Sequence, residues 1–153
     1  MSIDIRWSIR VDMPQILDIE SESFETCWSE DEFIRCLRQR NCIGIVAEEN
    51  DCVLGYLIYE LHEDRLHVLN FAVAKAARRR GVGTAMIKTL IGKLTPTWRK
   101  RIMLEVRESN LNAQCFFRAI GFKAVLVLRD FYDDTDEDAY VMQYRVKQEA
   151  ATR

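Results

Sequence analysis

An α/β fold, a mixed sheet with helices on both faces, is predicted by three features of this 153-residue chain. Short apolar runs alternate with segments of 3.6-residue periodicity, and strands interleaved with helices bury their apolar faces in such layers. Capping and turn residues punctuate the runs. The length suits one hydrophobic core, and no repeat, low-complexity tract or Pro/Gly-rich linker interrupts it.

Ile3–Arg10 is expected as the first strand. Asp12 precedes Met13-Pro14, with proline near the first helical turn, where its missing N–H costs little; Ile16, Leu17 and Ile19 follow at helical spacing. Ser29 and Glu32 form a capping box for a helix through Phe33, Ile34 and Leu37. Cys42–Ala47 and Val53–Leu61 read as strands around the turn Glu49-Asn50-Asp51, and Leu66–Val73 as another. Met86, Ile87, Leu90, Ile91 and Leu94 then line one helical face that Thr95-Pro96 stops. Ile102–Val106 is a short apolar run holding one acid, Glu105. Asn110 can cap a helix whose apolar side carries Leu111, Cys115, Phe116, Ala119 and Ile120, ended by Gly121. Ala124–Leu128 and Ala139–Tyr144 are closing strands, and residues 147–153 a frayed tail.

Hydrophobic residues are 48% of the chain, charged residues 30%, and the net charge is −2. That balance excludes a general nucleic-acid binder, which would carry a basic excess. No stretch approaches a membrane span, and the mixed-charge N-terminus has no apolar secretory core, so the cytoplasm is the expected compartment. Five cysteines, Cys27, Cys36, Cys42, Cys52 and Cys115, form no C-x-x-C pair. They are expected to be free and mostly buried, with no disulfide framework and no metal site. His62 and His67 lie in no metal spacing and beside no nucleophile, and are expected at the surface or in satisfied structural positions.

Two segments carry chemistry. The first is Arg78-Arg79-Arg80-Gly81-Val82-Gly83-Thr84 between a strand and a helix. Glycine lets an anion approach the main chain. The first helical amides lack internal partners and sit at the positive end of the dipole, so a phosphate fits there. The arginines either supplement that cradle or coat a solvated turn. A dinucleotide fingerprint would need glycine at Met86, and Gly92-Lys93-Leu94 fails the P-loop pattern. The second is Arg101–Arg107, where strand alternation puts Met103, Glu105 and Arg107 on one face. A carboxylate flanked by Leu104 and Val106 would be partly desolvated and moved toward the range of a general base. The alternative is a structural Glu105–Arg107 pair or an edge-strand charge.

LNFAV (69–73), RRRGVG (78–83), LEVRESN (104–110) and FFRAIGF (116–122), in this order, resemble the GNAT superfamily of acetyl-CoA-dependent N-acetyltransferases. FETCWSEDEF (24–33) and FYDDTDEDAYVM (131–142) narrow the resemblance to the ribosomal-protein alanine N-acetyltransferases and related enzymes of protein N-termini. It covers roughly residues 5–145 and implies one GNAT domain over 1–146. It also implies a sheet of six to seven strands with a splayed central pair, in which acetyl-CoA lies like an extra strand. The resemblance assigns the pyrophosphate to Arg78–Thr84, and the pantetheine arm and acetyl carbonyl to Phe71, Ala72 and Val73. Donors at that carbonyl would stabilise an oxyanion. Asn110 matches a cofactor-contacting asparagine.

Glu105 matches the general base that takes a proton, through water, from the incoming α-ammonium, for direct transfer in a ternary complex. Phe24, Glu25, Thr26 and Trp28 match the loop that shapes the peptide site, with an aromatic packing anchor as the alternative. Two departures stand out. Phe117 occupies the position of the family's general-acid tyrosine; it can pack on pantetheine but cannot donate a proton, and Tyr132 or Tyr140 are the possible substitutes. Phe131-Tyr132 replaces a Tyr-Tyr pair, leaving Tyr132 as the one hydroxyl to grip the substrate. Acids at Glu20, Glu22, Glu25, Glu30, Asp31 and Glu32 and at 130–138 either steer basic N-termini or form solvated faces.

The reading is therefore an N-acetyltransferase for a protein or peptide N-terminus, a ribosomal protein foremost, acting as a monomer or weak dimer without nucleic acid or membrane. A small-amine or antibiotic acetyltransferase and a decayed CoA-binding module are the alternatives.

Overall fold

The structure is a computed structural model that describes residues 2–147; the expected frayed tail falls, beyond Lys147, outside the described residues. It has two compact units. The first comprises residues up to Leu61 together with Val68–Gly92, the second His62–His67 together with residues from Lys93 onward.

In the first unit, β1 (Asp4–Trp7), β2 (Cys42–Glu49) and β3 (Cys52–Leu61) pair antiparallel, with Ile5 opposite Ala47 and Val46 opposite Tyr56. The first strand is half the expected length, because the chain turns into a short 3₁₀ segment at Arg10–Asp12. Asp12 closes that turn. Its carboxylate accepts from Arg6 Nη1 and Nη2 at 2.8 and 2.9 Å and from the Ile9 N–H at 2.8 Å. It therefore anchors β1 from a buried position and makes no side-chain cap for α1 (Met13–Ser23). The Arg6 guanidinium holds the Asp12 carboxyl below the usual carboxylate range, against the opposing effect of burial.

Helix α2 (Glu30–Leu37) starts on the expected capping box: Ser29 Oγ accepts from the Glu32 N–H at 3.2 Å, and Glu32 Oε1 from the Ser29 N–H at 3.3 Å. Its Phe33 is fully buried and meets Tyr56 edge-on at 5.8 Å. Strand β4 (Arg65–Val73) alternates strictly, burying Leu66, Val68, Asn70 and Ala72. Helix α3 (Val82–Ile91) buries Val82, Met86, Ile87 and Leu90. It approaches β3 closely at Gly55, where a Cβ would lie 3.1 Å from both the Ala72 carbonyl and Met86 Sδ. α3 ends at Gly92, short of the expected Leu94; glycine so near Pro96 favours stopping over another turn.

In the second unit, the start of β4 pairs parallel with β5 (Arg101–Arg107) at Arg65–Arg101, Leu66–Ile102 and His67–Met103. β5 pairs antiparallel with β7 (Ala139–Arg145), and β7 with β6 (Lys123–Leu128). Hydrogen-bonded neighbours thus run β1-β2-β3-β4-β5-β7-β6, a mixed seven-stranded sheet. Ile102, Leu104, Val106, Phe117, Phe122, Val141 and Met142 are buried. Helix α4 (Leu111–Ile120) corrects the sequence reading of its apolar side. Leu111, Cys115 and Ala119 are exposed, and the covered face is Ala113, Phe116, Phe117 and Ile120. Phe117 and Phe122 set that rotation by packing at 5.2 Å. Edge strand β6 leaves Val125, Leu126 and Val127 exposed. Among the described residues, no helix is long and apolar enough to cross a membrane.

Candidate functional site

The arginine–glycine turn lies wholly in the first unit. After β4, a 3₁₀ turn at Lys75–Ala77 leads to Arg79 and Gly81 in left-handed conformations, φ 63° and 80°. Gly81 is the residue before α3, and a Cβ there would meet nothing within 4 Å. The first helical bond is Ala85 N–H to Gly81 O at 3.0 Å, so the amides of Val82, Gly83 and Thr84 precede the internal ladder. Open space before an exposed Gly81, with first-turn amides behind it, is what an anionic diphosphate needs.

The three arginines divide. Arg78 Nε donates to the Val73 carbonyl at 3.1 Å, pinning the end of β4. Arg80 Nη2 reaches both Glu49 oxygens at 2.9 Å and is thereby drawn to β2. Arg79 is exposed. Phe71 and Val73 lie on the half-buried face of β4, and Ala72 on the buried one.

Phe24, Glu25 and Thr26 are exposed between α1 and α2. Trp28 is an anchor: its ring lies 5.1 Å from Phe33, and its main-chain N–H donates to Glu20 Oε2 at 2.8 Å. Glu20 itself is 2% exposed. Asn70 Nδ2 donates to its Oε1 at 2.8 Å, and the Tyr56 hydroxyl donates to the same oxygen. Burial and that carboxylate push the Tyr56 phenol above its ordinary range. Glu20 therefore cannot belong to a steering surface, contrary to the sequence reading. A carboxylate taken out of water needs several donors, and it recruits them from β3, β4 and the 24–28 loop.

The second unit holds the acid. As alternation requires, Ile102, Leu104 and Val106 are buried, and Met103, Glu105 and Arg107 share the half-buried face. The sequence placed Glu105 among apolar flanks; the structure places it against an imidazole. His67 Nε2 lies 2.9 and 3.0 Å from the two Glu105 oxygens, each side chain about a quarter exposed at 24% and 22%. His67 thus occupies a satisfied, part-buried position, as expected, and its partner is the candidate acid.

The alternative Glu105–Arg107 pair does not form among the described residues. Arg107 makes a fork to Asp134 at 3.0 and 3.1 Å, and its guanidinium covers the Tyr132 ring at 3.9 Å. Burial pushes the Tyr132 phenol up, Arg107 pulls it down, and the Glu105 charge pushes it up again. Tyr132 thus stands within the field of Glu105. Asn110 caps α4 through Oδ1, which accepts from the Ala113 N–H at 3.1 Å. Phe117 is buried, 5.0 Å from Phe116. Acids of 130–138 serve the loop: Asp138 accepts from Arg129 and the Asp130 N–H, and Glu137 from Ser109, which holds the Glu137 carboxyl low.

Sequence reasoning missed His67 and the Arg107–Tyr132 stack. For His67 the available signal was alternation in Arg65–Val73, which puts it on the same face as Phe71 and Val73. Its partner follows only once β4 is known to run parallel beside β5.

The model of the Acetyltransferase (GNAT) family matches residues 13–122. An N-alpha-acetyltransferase of Sulfurisphaera tokodaii is 30% identical over 151 residues, covering 90% of each chain. The crystal structure of the ribosomal-protein-S18-alanine N-acetyltransferase from Escherichia coli superposes with a TM-score of 0.85 at 25% identity, covering 99% of each chain. A structure of Arabidopsis thaliana NAA60 in complex with acetyl-CoA superposes with a TM-score of 0.81 at 17% identity, over 95% of this chain and 99% of that one.

Proposed function

The chain belongs to the GNAT acetyltransferase family, and on that premise we propose that it transfers acetyl from acetyl-CoA directly to the α-amino group of a protein or peptide N-terminus. A ribosomal protein with a small first residue is the foremost substrate class. Residues 1–146 are read as one GNAT domain, working in the cytoplasm as a monomer or weak dimer, without nucleic acid or membrane.

The observation that carries the reading is the Glu105 carboxylate, about a quarter exposed on β5 and met at both oxygens by His67 Nε2. An amine must shed a proton before it attacks, and an α-amino group loses one near pH 8, so a carboxylate working through water suffices. Glu105 takes that proton. His67 fixes the direction of the carboxylate.

The open turn at Gly81 and the amides of Val82, Gly83 and Thr84 fit the diphosphate of CoA, with Arg79 and Arg78 at its edge. Bound acetyl-CoA supplies an activated thioester acyl group. Phe71–Val73 offer main-chain groups to its arm, although the Val73 carbonyl is already taken by Arg78. Asn110 uses its oxygen as a helix cap, so its cofactor contact falls to Nδ2, and Phe117 lends only packing. Phe24, Glu25 and Thr26 face the peptide; Trp28 holds their loop in place. Tyr132, whose phenol burial pushes up, is the hydroxyl for the substrate backbone.

Purified protein, acetyl-CoA and a panel of N-terminal peptides and small amines test this. Acetylation of peptide α-amines that Glu105→Gln suppresses is expected; activity confined to small amines would remove the assignment. The absence of a hydroxyl on buried Phe117 favours a second reading, a CoA-binding module with decayed chemistry. It predicts acetyl-CoA binding without transfer to any member of the panel.

A further inference from the structure

Cys36, in the last turn of α2, and Cys42, the first residue of β2, bring their sulfurs to 2.9 Å. Two successive backbone turns hold them there: Gln39 N–H donates to Cys36 O and Cys42 N–H to Gln39 O, both at 3.1 Å. The approach is thus built by the main chain of the α2–β2 connection. A disulfide has an S–S bond of about 2.05 Å, so closing this pair takes a movement under about 1 Å. Cys36 is half-exposed and Cys42 buried. By contrast, the exposed Cys27 donates to the carbonyls of Glu20 and Phe24.

From this geometry we propose that Cys36 and Cys42 form an oxidation site, a dithiol that a hydroperoxide converts to a disulfide. The Cys36 thiolate attacks the outer oxygen of ROOH. The O–O bond breaks, sulfur is oxidised to the sulfenic acid, and ROH leaves with a proton. Cys42 then attacks the Cys36 sulfur; the S–S bond forms, the S–O bond breaks, and water leaves with the Cys42 proton. The sum is two thiols plus ROOH to one disulfide, ROH and water.

The order of attack follows from access. Burial and the neighbouring Cys36 push the Cys42 thiol up, so Cys36 meets the oxidant and Cys42 resolves. The product ties the C-terminal end of α2 to β2, while Ser29 and Glu32 hold its other end. This inference stands independently of the acetyl-transfer reading.

The test uses the full chain with the three exposed cysteines replaced, Cys27→Ser, Cys52→Ser and Cys115→Ser. After hydrogen peroxide and catalase quenching, iodoacetamide is added and the intact mass read. The reduced protein should take two adducts. The oxidised protein should take none and weigh about 2 Da less than unalkylated reduced protein, and dithiothreitol should restore both adducts. Adding Cys42→Ser should leave Cys36 as a sulfenic or sulfinic acid. Two adducts after peroxide, or added oxygen on Cys36 with Cys42 still alkylated in the parent, would overturn the proposal. If that parent fails to fold, wild-type protein cleaved after glutamate gives one peptide, 33–48, that holds Cys36 and Cys42 without Cys52; after peroxide that peptide should be about 2 Da light and take no adduct, and two adducts on it would overturn the proposal.

Discussion

The turn at 78–84 and the acid face of β5 are built from different materials. The first is main chain: a left-handed Gly81, first-turn amides and open space. The second is side chain: Glu105 on β5, His67 on β4, and Arg107 laid over Tyr132. A backbone site depends on a few consecutive residues and tolerates change in the side chains around it. A side-chain site depends on strand order and on each partner. Substitutions should therefore act differently in the two regions, on affinity in one and on rate in the other.

The largest effect should come from Glu105→Gln, which keeps shape and removes the proposed base. The chemical rate is expected to fall about 10²–10⁴-fold with acetyl-CoA affinity near wild type, read by pre-steady-state kinetics and calorimetry. Equal losses in rate and affinity would break the division. Next, Gly83→Glu puts a side chain and a negative charge into the buried first turn of α3. Acetyl-CoA affinity should drop more than about 100-fold by calorimetry, with far-UV circular dichroism unchanged. Retained affinity would move the diphosphate elsewhere.

His67→Ala sharpens the comparison. A partner that only orients a reacting group is worth about 10–100-fold in rate, below the loss at Glu105. His67→Gln, which can still donate through Nε2, should recover part of it. An unchanged rate beside lowered stability, or no recovery in His67→Gln, would reduce His67 to packing.

The same contrast explains what could be read before the fold was known. Among the described residues, the seven strands and four α-helices fall in the segments the periodicity marked, with β1 and α3 shorter than expected, because period-two and period-3.6 patterns are local. The Ser29–Glu32 box and the Asn110 cap were legible for the same reason. Errors arose where a distant charge or packing choice overrode a local signal. The Arg6–Asp12 pair closed a 3₁₀ turn that cut the first strand short, and Phe117 with Phe122 turned α4 away from the side carrying Leu111 and Cys115. The glycine turn was visible as a motif. The His67–Glu105 pair was not, since 38 residues separate its members and only the parallel β4–β5 ladder brings them together.

The smallest predicted effect tests whether charge in the arginine run is shared or divided. Arg80 engages both Glu49 oxygens with its side chain 32% exposed, so its charge is spent within the first unit. Arg80→Ala should change acetyl-CoA affinity by less than about threefold while costing up to about 1 kcal/mol of stability, the scale of a partly exposed ion pair. Arg79 is exposed and itself adopts a left-handed conformation, φ 63°. Arg79→Ala should weaken affinity more, by about fivefold, the worth of one charge-assisted contact in water, and the deficit should shrink as salt is raised. If the two substitutions weaken binding equally, Glu49 releases Arg80 when cofactor arrives, and the turn is a side-chain site after all.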